Sequence, residues 1–99
     1  METVWIVSLA RNCADTLNRN LKELKAFTDG FEVAWVVLES NSADKTRISL
    51  EEASRHLSSF WILDEPIEIQ ADWSRTRKMA ARRNHLAEFV LSRVRSESR

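Results

Sequence analysis

Short apolar runs alternate along the chain with segments of helical periodicity, and the alternation predicts the order β–α–β–α–β–α. Residues 4–10 (Val-Trp-Ile-Val-Ser-Leu-Ala) form an apolar run of strand length broken only by Ser8, the pattern of a strand buried on both faces. Leu17, Leu21 and Leu24 then fall on one helical face, which Phe27 extends. Asn12 is placed to cap this helix and Asp15 to favour its positive end, while Gly30 stands where a left-handed residue would end it. A second buried strand is expected over residues 32–38. In the polar stretch that follows, Ser42 or Asp44 is placed to cap a helix running to about Leu57, with Leu50, Ala53 and Leu57 as its apolar stripe. Residues 60–63 predict a third strand, stopped by Asp64-Glu65-Pro66. Ile67 and Ile69 alternate with polar residues, which leaves room for a short edge strand over residues 67–73. From Ser74 a long helix is expected, with Met79, Leu86, Val90 and Val94 along one side. Residues 95–99 hold no apolar side chain and read as a frayed end.

Strands alternating with helices imply right-handed crossovers, a parallel sheet and helices on both of its faces. The expectation is therefore an α/β, three-layer, Rossmann-like fold: three to four parallel strands with three helices, in one domain over residues 4–94. Such sheets bind ligands at the carboxyl ends of their strands. Composition is compatible with this. With 99 residues, 43% of them hydrophobic, and four Trp and four Phe, the chain suits one small domain with a real core. The single cysteine, Cys13, excludes an internal disulfide and fits a reducing compartment. No signal peptide is visible, and the first apolar run is far too short to span a bilayer, so a cytoplasmic protein without a membrane segment is expected.

Charge changes the picture more than composition does. Residues 1–70 carry 7 Lys/Arg against 12 Asp/Glu, whereas residues 71–99 carry 8 against 3. A basic last third points to an anionic ligand or partner, or to charge matching within the molecule. Nucleic acid is the weaker choice of anion, because the first two-thirds are acidic and no nucleic-acid-binding motif is present.

Three polar clusters follow the expected strands: Ala10-Arg11-Asn12; Glu39-Ser40-Asn41-Ser42-Ala43-Asp44-Lys45-Thr46; and the segment from Arg75 to Asn84. The second resembles the E-N-D-S-x-D-G-T motif of GT-A glycosyltransferases, particularly those related to the capsule mannosyltransferase group. Arg11-Asn12 resembles the A-R-N that closes strand one in those enzymes, and residues 75–84 resemble their R-T-x-x-[LI]-A-x-x-R-N segment. The three occur in the family's order, and the resemblance covers nearly all of residues 4–91. Ser40 and Asn41 stand where the family commonly has Asn and Asp, and Lys45 replaces a Gly. A lysine there would strain a turn that needs positive φ.

The resemblance implies a nucleotide diphosphate sugar as ligand. Glu39, Ser40 and Asn41 would face base and ribose, Arg83 with Asn84 would reach the diphosphate, and Ala10, Arg11 and Asn12 would line the other side. Asp44 opens the next helix, where its carboxylate argues against a phosphate at the same point. In the family a divalent cation, Mn or Mg, is held by a later D-x-D motif, which this chain lacks along with the acceptor half. The expectation is thus a nucleotide-sugar-binding fragment, inactive alone, with no catalytic residue, metal ligand or bound cofactor of its own. The alternative is a small α/β module that binds or oligomerises through an exposed sheet edge or apolar face. Asp64-Glu65 has the wrong spacing and order for a metal motif. Arg75, Arg77, Lys78 and Arg82 read as solvated helix surface. His56 and His85 lie apart from other ligand-type residues, and of the four Trp only Trp73 sits in a polar segment.

Overall fold

The computed structural model describes residues 3–57 and 59–97, without the side chains of Phe27 and Glu97. Its elements are β1 (Thr3–Ala10), α1 (Ala14–Phe27), β2 (Glu32–Glu39), α2 (Thr46–His56), β3 (Phe60–Asp64) and α3 (Arg75–Glu97). The strands form one parallel sheet in the order β1-β2-β3. The α/β architecture expected from the alternating pattern is therefore present, with three strands and three helices.

The two faces of β2 divide the core. Val37 points to the side covered by α1 and α2, where Ala10, Leu17 and Leu50 join it and Phe60 and Ile62 pack alongside. Val36 and Leu38 point to the other side, against Leu86 of α3 with Trp5, Leu9, Trp61, Leu63, Phe89 and Val90. Val36, Leu38 and Leu50 are wholly buried, each contributing about 1.5–3 kcal/mol by leaving water. Stability is concentrated at the middle strand because only β2 has a strand on either side. Trp5 stacks on Trp61 with ring centroids 5.6 Å apart, bridging the two edge strands across the α3 face.

Several expectations change in physical detail. β1 is an edge strand, not one buried on both faces: Val7 is 50% exposed, and Val4 and Ser8 also reach solvent. Residues 67–73 form turns, not a fourth strand. Pro66 has no N–H to give a ladder, and the backbone there is satisfied locally, Ile69 N–H donating to the Pro66 carbonyl (3.3 Å) and Trp73 N–H to that of Gln70 (3.1 Å). Ile67 is left 99% exposed. On α1, Leu17 is buried and Leu24 is exposed, and the Phe27 side chain lies outside the described residues. Gly30 takes φ +90, the left-handed turn expected after α1. On α3, Val94 is exposed and Phe89 packs in the core instead. The helix continues through Glu97, whereas the last two residues of the expected frayed end lie outside the described residues. No helix among the described residues is long and apolar enough to cross a membrane.

Candidate functional site

Parallel strands deliver β1 and β2 to a common end, and the loops leaving them are tied together there. Asn12 N–H donates to Ser42 Oγ (3.0 Å), Ala43 N–H to Asn12 Oδ1 (2.7 Å), Cys13 N–H to Thr46 Oγ1 (2.8 Å) and Ser40 N–H to the Ala10 carbonyl (2.9 Å). Asn12 and Asn41 both adopt positive φ, 50 and 45. Asparagine tolerates this region better than most residues, because its short side chain bonds locally. The strain anticipated at Lys45 does not arise; that residue has φ −85, and the left-handed turn falls on Asn41.

Asp44 is the centre of this lashing. One carboxylate oxygen accepts from Ala14 N–H (3.3 Å), at the start of α1. The other accepts from Thr46 N–H (2.9 Å) and from the Thr46 hydroxyl, at the start of α2. The Thr46 hydroxyl, chiefly, holds the Asp44 pKa below its ordinary value, with the backbone donors adding to it against desolvation. Asp44 therefore serves two helices, and Asn12, expected to cap α1, bonds across to Ala43 instead.

Glu39 ends β2 and Ser40 follows it, its N–H still bonded to Ala10, so the two side chains leave on opposite faces. Glu39 is buried on the α1–α2 side, accepting from Ser42 N–H and lying 3.9 Å from Arg47, which also bonds Asp64 at 2.7 Å. Ser40 faces α3 and donates to Glu65 Oε2 at 2.7 Å. Arg82 grips the same carboxylate with both ends of its fork, Nε to Oε1 at 2.6 Å and Nη2 to Oε2 at 2.8 Å. Its hydrogen bonds are the main reason the Glu65 pKa is lowered; desolvation opposes them, and Ser40 and the charge of Arg11 assist.

Beside this network lies a cleft of two lobes. The larger, about 430 Å³, is lined by Leu9, Ala10, Arg11, Ser40, Arg75, Lys78, Met79 and Arg82. The smaller, about 260 Å³, is lined by Arg11, Ser40, Asn41, Glu65, Ile69, Gln70, Ala71, Lys78 and Arg82. Arg11, Ser40, Lys78 and Arg82 belong to both, forming a shared wall between a mainly apolar lobe and one whose lining is mixed. Four cations face the cleft against one carboxylate, Glu65, which Arg82 already neutralises. The arrangement can hold an anionic group at the wall and a differently shaped group on each side of it.

Of the residues singled out in the sequence, the structure brings Ala10, Arg11, Ser40 and Asn41 to this cleft. It does not bring Asn12, Glu39 or Asp44, whose polar atoms are engaged within the loops. Nor does it bring Asn84, which is exposed elsewhere on α3, or Arg83, which lines an apolar groove with Trp5, Val7, Leu86, Ala87, Val90 and Leu91. The cations that do face the cleft, Arg75, Lys78 and Arg82, read in the sequence as solvated surface. Their spacing of three and four residues already puts them on one helical face, and Arg83 falls on that of Leu86 and Val90. Among the described residues no group of three or more His, Cys, Asp or Glu could hold a metal ion. Compared with protein-family models, curated proteins and solved structures, the chain matches none.

Proposed function

We propose that the cleft binds the nucleoside diphosphate part of an activated sugar, as the donor-binding part of a GT-A type glycosyltransferase. One observation carries the reading: two lobes, the larger mainly apolar and the smaller of mixed lining, share the wall of Arg11, Ser40, Lys78 and Arg82. A nucleotide sugar has the complementary plan, a diphosphate between two rings of different polarity. The position supports it too, since ligands of parallel α/β sheets collect outside the carboxyl ends of the strands, and the ordered resemblance of the three polar clusters agrees. In this reading Arg11, Arg75 and Lys78 carry the diphosphate, and Arg83 does not. Titration with UDP and GDP, followed by amide resonances of Arg11, Ser40 and Lys78, tests it; the absence of shifts at millimolar nucleotide would remove it.

A second reading is favoured by a different feature. The groove between the outer edge of β1 and α3 has a volume of about 590 Å³ and is mainly apolar. An open strand edge beside apolar surface is what another chain covers in a binding or oligomerising module. Light scattering that gave a monomer at every concentration would exclude self-association through it.

A further inference from the structure

We infer that Gln70 is the specificity-determining side chain of the smaller lobe, reading the donor–acceptor edge of a nucleobase; the inference rests on the nucleoside diphosphate reading above. The polar groups of this lobe are not equivalent. Glu65, Arg82 and Ser40 are engaged with one another, so the base of the lobe is a satisfied network. Arg11 and Lys78 are donors only, suited to phosphate oxygens and indifferent to which heterocycle is attached.

The lobe has two primary amides, Asn41 and Gln70, and they differ in setting: Asn41 sits on the left-handed turn after β2, φ 45, whereas Gln70 stands between the two apolar residues of the lobe. Gln70 is exposed, and its side-chain amide forms no hydrogen bond among the described residues. A primary amide offers donor and acceptor in one plane, the combination that pairs with the edge of a base. On either side stand Ile69 and Ala71, the apolar residues of this lobe, which can take the face of a ring while the amide meets its edge. The backbone beneath is fixed: the Gln70 carbonyl accepts from Trp73 N–H at 3.1 Å, and the Trp73 ring lies under the Arg77 guanidinium at 3.7 Å. With the backbone pinned, only the rotamers of the amide itself remain to be ordered when a partner binds.

The test compares wild type, Gln70→Leu and Gln70→Glu in titrations with UDP, GDP, ADP, CDP and pyrophosphate. The wild type is expected to prefer one base by about 5–10-fold, and Gln70→Leu to bring all four within about 2-fold of one another. Gln70→Glu, which has acceptors only, should re-rank the bases, and pyrophosphate affinity should be the same in wild type and Gln70→Leu. A wild type without preference, a ranking that survives Gln70→Leu, or a parallel loss of pyrophosphate binding overturns the role of Gln70 while leaving the cleft as a nucleotide site. If neither the nucleotides nor pyrophosphate bind the wild type, the nucleotide reading itself falls, and this inference with it.

Discussion

Replacing Glu65 with Gln keeps the shape of the side chain and removes the charge that Arg82 holds, so it probes the network under the cleft without opening a cavity. The side chains of Arg82 and Glu65 are 13% and 16% exposed, between the surface and buried limits. Exposed pairs contribute about 0–1 kcal/mol, and losing one partner of a fully buried pair costs about 3–5 kcal/mol. With two hydrogen bonds from Arg82 and a third from Ser40, the expected loss lies near 2 kcal/mol. For a domain of this size that lowers Tm by roughly 8–16 °C. Because the folded Glu65 pKa lies below its ordinary 4.5, the carboxylate's contribution is complete above pH 4.5 and fades as the pH falls through the folded value. Thermal melts of wild type and Glu65→Gln should therefore differ by a constant amount at neutral pH and converge in acid. A double-mutant cycle with Arg82→Met should return a coupling of about 1–2 kcal/mol. A coupling below about 0.3 kcal/mol, or a Tm gap unchanged from pH 7 to pH 3, would refute the assignment.

Three further outcomes follow from other parts of the molecule. Leu50→Ala, at a wholly buried position on the α1–α2 side, should cost about 2–5 kcal/mol in urea denaturation, enough to leave much of a marginal domain unfolded. At Asn41, where φ is 45, glycine should be neutral or stabilise by up to about 1 kcal/mol and valine should destabilise by about 1–2 kcal/mol, read as opposite shifts in the denaturation midpoint. Arg83→Ala should leave UDP and GDP affinity within about 2-fold of wild type, while Lys78→Ala should weaken it about tenfold, measured by calorimetry; the reverse order would return the diphosphate to Arg83.

The order of elements was legible because each buried run has the period of its structure. Residues 4–10 and 32–38 are too short and too continuously apolar to be helices here, and they became β1 and β2 within a residue of the expected limits. Burial was less legible. Nothing in the apolar run of β1 says that it has one neighbour instead of two, so the exposure of Val7 could not be read from it. The site was legible in position and only partly in composition. Arg11, Ser40 and Asn41 reach the cleft as expected, whereas Glu39 follows the pleat of β2 to the opposite face from Ser40, a split that strand alternation already contains. The partnership of Glu65 with Arg82 was out of reach. It joins residues 17 apart across a turn-rich segment whose course depends on tertiary contacts.

The lashing of the first two loops decides where the entropy of recognition falls. Residues 10–14 and 40–46 are held to each other by bonds that any ligand finds already made. Binding against Arg11 and Ser40 therefore does not pay to order their loops. The segment between β3 and α3 is fastened mainly by Glu65 near one end and by the Trp73–Arg77 stack near the other. Its side chains at Ile69 and Gln70 are the ones left to be immobilised, at about 0.5–1.5 kcal/mol each. Affinity differences among ligands should accordingly track how well each one orders these two side chains. An amino-acid change within this segment can retune selectivity while the rigid wall goes on supplying the common part of the affinity.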